Sequence, residues 1–158
     1  MKKTNLVSRR KILRLTGCSV LVMPAITYHS EHAGANTLAE IAQPSVRDDA
    51  AFVNRAFEMQ RMATKTGDQP YGAVVVKDLT IVGQSPSHVV VNNDPTAHAE
   101  MEAIRDAANR LGSRNLAGCT LFSSSKACPM CEAAAYWAGI SRMVYGESGS
   151  DGGHPGLC

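Results

Sequence analysis

Two short clusters in this chain hold side chains suited to a metal ion. His98-Ala99-Glu100 opens one helical stretch and Cys128-Pro129-Met130-Cys131 opens another. Together they offer one imidazole, two thiols and one carboxylate that is not needed as a ligand. Zinc takes nitrogen and sulfur donors, and three protein ligands leave a fourth position open, as in hydrolytic rather than structural sites. Cys128 and Cys131 are three residues apart at a helix start, so their sulfurs share a face. The unpaired N–H groups of that helix start favour thiolate over thiol. His98 supplies a neutral imidazole from the first turn of its own helix. Glu100 cannot share the His98 face within a regular helix, but near a helix end both side chains can converge on a point off the terminus. A carboxylate there is placed to shuttle protons. A lone C-x-x-C also serves structural zinc half-sites and redox pairs, and a lone His-Ala-Glu carries no signal. It is the pair, each at a helix start behind a strand, that points to catalysis.

The elements that must hold these tips are legible in outline. From Ser45 to Lys65 the pattern predicts an amphipathic helix, with Ser45 as N-cap and an apolar stripe of Val46, Val53, Phe57 and Met62. Tyr71–Val76 and Ile81–Gly83 read as a hairpin turning at Lys77–Thr80. A loop follows, containing His88-Val89-Val90-Val91. Asp94 is expected to cap the next helix with Pro95 at its first position, the helix running from Ala97 to Leu111 and stopping at Gly112. Thr120-Leu121-Phe122 is a short strand, Pro129 to Ala138 a third helix ended by Gly139, and Arg142 to Tyr145 a last strand. The order α-β-β-α-β-α-β predicts a layered α/β domain with a mixed sheet between helices. After Gly146 the glycine-rich sequence has no apolar periodicity and reads as a loose tail, residues 147–158. Cys119 is expected to pack as a small buried residue, and Cys158 carries no assigned role. Ser123-Ser124-Ser125-Lys126 matches a serine–lysine motif of penicillin-recognising enzymes, but without its partner motifs it reads as chance.

The formal charge of +2 conceals an asymmetry. Lys2, Lys3, Arg9, Arg10, Lys11 and Arg14 crowd the first 14 positions, whereas from Asn36 onward 10 basic residues face 13 acidic ones. A net charge of −3 there argues against a polyanionic partner and for a small molecule. Ser8-Arg9-Arg10-Lys11-Ile12-Leu13-Arg14 resembles the twin-arginine export consensus, followed by an apolar run from Leu15 to Ile26 and small residues at Ala33-Gly34-Ala35. Residues 1–35 therefore read as an export signal cut after Ala35, which implies a periplasmic protein. The alternative is a cytoplasmic protein with a disordered basic tail. The apolar run is too short to span a bilayer ~30 Å thick, so no transmembrane segment is expected in the mature chain. Residues 36–44 read as a linker and 45–146 as the domain.

The order H-x-E followed by C-x-x-C is the signature of zinc-dependent base deaminases. Through Tyr71-Gly72-Ala73-Val74-Val75-Val76, Asp94-Pro95-Thr96-Ala97-His98-Ala99-Glu100, Ala127-Cys128-Pro129-Met130-Cys131 and Met143-Val144-Tyr145-Gly146 the chain resembles the cytidine and deoxycytidylate deaminase superfamily. It is most similar to the branch holding guanine deaminase and tRNA adenosine deaminase, and Ala-Tyr-Trp-Ala at 135–138 looks like the guanine deaminase side. The resemblance implies a three-layer domain with a five-stranded sheet and zinc on His98, Cys128 and Cys131. It implies Glu100 as the proton shuttle, substrate contact from the backbone of Ala99, and dimers or larger assemblies. Tyr71 and Trp137 are further candidates for the wall of the base pocket.

Three positions depart from the family pattern. Lys126 and Ala127 stand where Glu-Pro is usual before the first cysteine. The base-binding asparagine expected seven residues before Asp94 is Ser87, so Asn92 or Asn93 would have to substitute for its two-pronged amide. The usual C-terminal strand and helix are missing from the pattern. The expected function is zinc-dependent hydrolytic deamination of a nucleobase or nucleoside, guanine-like by resemblance, with release of ammonia and with a homodimer as the assembly. The rival is a zinc-stabilised scaffold of the same fold without catalysis. A tRNA adenosine deaminase ranks lower on charge and address.

Overall fold

The computed structural model describes residues 38–157. The expected export signal over 1–35 and Cys158 lie outside the described residues. Helix α1 spans Asp49–Lys65 and starts later than Ser45. Asp48 takes the capping role: its Oδ1 accepts from Ala51 N at 2.8 Å, and a carboxylate suits the positive helix end. The buried stripe is Phe52, Val53, Ala56, Met59 and Ala63. It is rotated from the expected one, and Val46 and Met62 face solvent. Residues 38–44 form no helix or strand, yet they are pinned. Ile41 is buried, and the Gln43 amide both donates to Ile81 O at 2.9 Å and accepts from Ile81 N at 2.8 Å.

Strands β1 (Gly72–Lys77) and β2 (Thr80–Pro86) form the expected hairpin, with β2 running further than predicted. Asp78 and Leu79 both have positive φ, 47° and 56°, giving the primed two-residue turn that matches strand twist. Gln43 thus occupies backbone groups on the outer edge of β2, an edge that would otherwise be open. Helix α2 (Ala99–Leu111) begins after His98, not after Asp94. Asp94 instead folds onto its own neighbours, its carboxylate accepting from Thr96 N and Oγ1 at 2.7 and 2.8 Å. This Asx turn competes with helix formation. Gly112 at φ 60° ends α2 as predicted.

Strand β3 (Thr120–Ser123), helix α3 (Pro129–Ala138) and strand β4 (Arg142–Tyr145) follow, with β3 and β4 parallel across the α3 crossover. The expected loose tail is a correction. Ser150–Gly153 forms strand β5, antiparallel to β4, so the C-terminal strand is present and the sheet has five strands in the order β2-β1-β3-β4-β5. Four exposed, backbone-paired residues leave no periodicity to read. Arg142 secures β5 through Asp151 at 2.9 Å, and Gly156 N donates to Glu132 Oε1 at 3.2 Å. No helix follows β5 among the described residues.

Alternation along the strands sorts the two faces. Val74, Val76, Ile81, Phe122 and Val144 pack with Phe52, Val53 and Met59 of α1. Ala73, Val75, Leu121 and Met143 pack with Ala99, Ala103 and Ala107 of α2 and Cys131 and Ala135 of α3. The result is three layers. Two glycines allow the close approach: a Cβ at Gly72 would sit 2.2 Å from Ala56 O, and one at Gly83 2.5 Å from Ala107 N. Alanines on the inner face of α2 bring its backbone near the sheet. Its N-terminus and that of α3 are therefore held on one side of a rigid platform. Among the described residues no helix is long and apolar enough to cross a membrane.

Candidate metal centre and active site

His98 is the N-cap of α2, and Cys128 is the N-cap of α3 with Pro129 in the first turn behind it. Cys131, one turn further on, points the same way. Its Sγ lies 3.6 Å from Cys128 Sγ and 3.6 Å from His98 Nδ1, and Cys128 Sγ is 3.7 Å from the same nitrogen. A tetrahedral zinc with bonds of ~2.3 Å to sulfur and ~2.0 Å to nitrogen sets S···S edges of about 3.8 Å and N···S edges of about 3.5 Å. The three atoms therefore have the spacing of three corners of one coordination tetrahedron, and they form a cluster able to hold a metal. The donor chemistry also fits: two sulfurs and an imidazole form a common catalytic zinc set.

Glu100 stands in the first turn of α2, 5% exposed, its Oε2 3.7 Å from Cys131 Sγ. Burial raises its carboxyl above the ordinary range against the opposing pull of its own N–H, Cys131 and His98. Burial also pushes the Cys131 thiol up, reinforced by Glu100 and Cys128. The helix start alone thus does not make Cys131 a thiolate. Two buried acids that both resist ionisation mark a cluster short of positive charge, and no lysine or arginine pairs with Glu100 among the described residues. A divalent cation on the three ligands would supply that charge.

His98, Glu100 and Cys128 line a cavity of about 580 Å³, together with Gln69, Tyr71, Ser125 and Lys126. The loop carrying Ser125 and Lys126 is tied to β1. Ser124 N and Oγ exchange bonds with Gly72 at 2.9 and 3.1 Å, and Ser123 Oγ donates to Ser125 O at 2.6 Å. The hydroxyls of Ser123 and Ser124 are therefore spent on holding the loop. Ala127 is buried in the core, and Lys126 is exposed at the cavity.

Of the other expected contacts, Tyr71 is at the cavity. The Ala99 side chain is in the core. Ser87 is turned away: it is fully buried, and its hydroxyl donates to Asp68 Oδ1 at 2.7 Å. Asn92 and Asn93 are exposed on a turn and do not line the cavity. Trp137 is 73% exposed, stacked edge-on against an exposed Tyr136, so neither ring is core and neither lines the cavity. Sequence reasoning missed Gln69 and Asp68. Both lie in the Thr66–Pro70 segment that reads as an ordinary helix stop. Asp68 as a residue is 7% exposed. Burial alone would raise its carboxyl, but donors from Val91, Ser87, Gln69 and Val90 hold it at about 2.

Residues 46–147 match the family model of the cytidine and deoxycytidylate deaminase zinc-binding region. A guanine deaminase of Bacillus subtilis is 40% identical over 107 residues, covering 67% of this chain and 69% of the relative. A tRNA-specific adenosine deaminase of Buchnera aphidicola is 37% identical over 98 residues, covering 62% of this chain and 60% of the relative. The X-ray structure of a Bacillus subtilis guanine deaminase superposes with a TM-score of 0.58 at 42% identity, over 60% of each chain. The chain thus spans between 60% and 69% of the lengths of these relatives.

Proposed function

Because the chain belongs to the cytidine and deoxycytidylate deaminase family, we propose that it hydrolyses the exocyclic amine of a nucleobase or nucleoside, a guanine-like purine, to the oxo compound and ammonia. The observation that carries this reading is the convergence of His98, Cys128 and Cys131 at tetrahedral spacing with Glu100 beside them in a cavity. A zinc ion held by those three side chains supplies Lewis acidity that makes water nucleophilic at neutral pH.

The chain's own residues do the rest. Glu100, at the cavity and clear of the ligand set, takes a proton from the attacking water. It hands that proton to the ring nitrogen, then carries the second proton of the same water, from the newly formed hydroxyl, to the departing amine. Buried surroundings keep its carboxyl from being solvated, so the proton it holds passes to the substrate rather than to bulk water. Tyr71, Ser125 and Lys126 line the cavity beside Glu100. One amine leaves as ammonia and one oxygen from water remains on the ring.

The guanine preference rests on the Bacillus relative, and the net negative charge beyond residue 35 weighs against a tRNA substrate. The scaffold reading has no geometric feature in its favour, since Glu100 and all three ligand atoms lie together. The proposal includes a homodimer and export through residues 1–35, which light scattering and cell fractionation of an Arg9→Lys, Arg10→Lys variant test. The central test measures zinc per chain and ammonia released from a panel of bases and nucleosides. About one zinc per chain with turnover of at least one purine is expected. Bound zinc with no turnover on any compound would restore the scaffold reading.

A further inference from the structure

The departure at Ser87 leaves a question that the cavity itself answers. Recognition of a flat heterocycle with neighbouring donor and acceptor atoms is best served by an amide, which offers both in one plane. Ser87 cannot supply it, because its hydroxyl is buried against Asp68. Asn92 and Asn93 stand elsewhere. Gln69 is the amide on the cavity wall.

Its backbone is fixed on both sides. Gln69 N donates to Asp68 Oδ1 at 2.7 Å, and Gln69 O accepts from Tyr71 N at 2.7 Å. The second contact closes a three-residue turn centred on Pro70, whose ring restricts φ. Pro70 O in turn accepts from Gln60 Nε2 at 2.8 Å. The side-chain amide, by contrast, makes no hydrogen bond among the described residues. A pinned backbone on the cavity wall, bearing an amide not spent inside the protein, leaves only the side chain's own rotamers to be ordered when a ligand binds.

We propose that Gln69 reads the substrate's edge: Nε2 donates to a ring or exocyclic acceptor while Oε1 accepts from the adjacent ring N–H. The ligand class is a base with a lactam or amidine edge. Asp68 is the positioning residue behind it. One carboxylate oxygen holds both Gln69 N and the Ser87 hydroxyl, and the other holds Val90 N and Val91 N, each at 2.9 Å. The turn before β1 and the loop after β2 are thereby locked together. This inference rests on the deamination reading.

The test compares the zinc-loaded protein with Gln69→Leu, which removes the amide at nearly constant volume. KM is measured for the base turned over fastest. Kd is measured by calorimetry in a Glu100→Gln background for that base and for unsubstituted purine, which lacks the paired edge on its six-membered ring. Gln69→Leu should raise KM and Kd for the substrate base at least tenfold, with zinc content and melting temperature unchanged. Kd for unsubstituted purine should move less than twofold. Equal weakening for both bases, or no weakening, would overturn the role of Gln69 while leaving the deaminase reading intact. A wild-type protein that neither binds nor turns over any base overturns both.

Discussion

Glu100 and Asp68 are two acidic residues that expose little surface, 5% and 7%, yet their carboxyls move in opposite directions. Burial raises Glu100, whose surroundings give it little beyond its own N–H and a thiol. Burial acts on Asp68 too, but three backbone N–H groups and the Ser87 hydroxyl outweigh it and bring the group to about 2. Desolvation sets the cost of a charge, and the number of aimed donors decides whether the cost is met. Helix α2 directs its first turn at the site without surrounding Glu100 with donors, so that group is free to exchange protons. Asp68, in the turn before β1, receives four donors, three of them from the loop after β2, and is a fixed charge that holds structure.

The contrast can be broken most severely at Glu100. Glu100→Gln should bind zinc as before and lose roughly 10³-fold in kcat, within the usual span for a missing acid–base group. Ammonia-release kinetics beside metal analysis check it, and activity within a few fold of wild type would place the shuttle elsewhere. Zinc removal comes next. Dialysis against a strong chelator should lower the melting temperature by about 10 °C or more, because the ion ties α2 to α3 and binds only the folded chain. An unchanged melting curve would mean that the three donors do not share an ion.

At the other carboxylate the effect falls on stability. Asp68→Asn should cost about 2–3 kcal/mol, read from denaturant unfolding, since it weakens hydrogen bonds to a charged acceptor and adds a donor among donors. The pH dependence follows from the sign of the shift. The folded Asp68 lies at about 2, below the ~3.9 of an unfolded aspartate. Its contribution is fully present above pH 4 and is lost as pH falls through 4 toward 2. The Asn variant should show a shallower acid limb, measured by unfolding at stepped pH. Ser87→Ala is the mildest change, about 1 kcal/mol, as one of four donors is removed. A loss as large as that of Asp68→Asn would show that Ser87, not Asp68, anchors the loop.

The chemistry was legible because it is written locally. A helix start needs a cap, a C-x-x-C at such a start puts both sulfurs on one side, and Gly112 and Gly139 end their helices with positive φ. The hairpin and the α3 crossover follow from periodicity and turn residues. Other features depended on competition that no short window contains. Ser45 and Asp94 are the caps expected from sequence, yet neither caps a helix: Asp48 caps α1, and Asp94 spends its carboxylate on Thr96. Strand β5 is four polar or glycine residues made into a strand by β4.

The sequence by itself determined which atoms could share a metal and which acid stands beside them, because ligand spacing and helix geometry are properties of a few neighbouring residues. Only the tertiary structure decided which residues line the cavity. Ser87, Asn92 and Trp137 turn away from the cavity and Gln69 lines it. Orientation of that kind is set by contacts between segments distant in the chain, such as Asp68 with Ser87 and Val91. Whether a polar side chain is spent inside the protein or left for a ligand depends on which partner reaches it first.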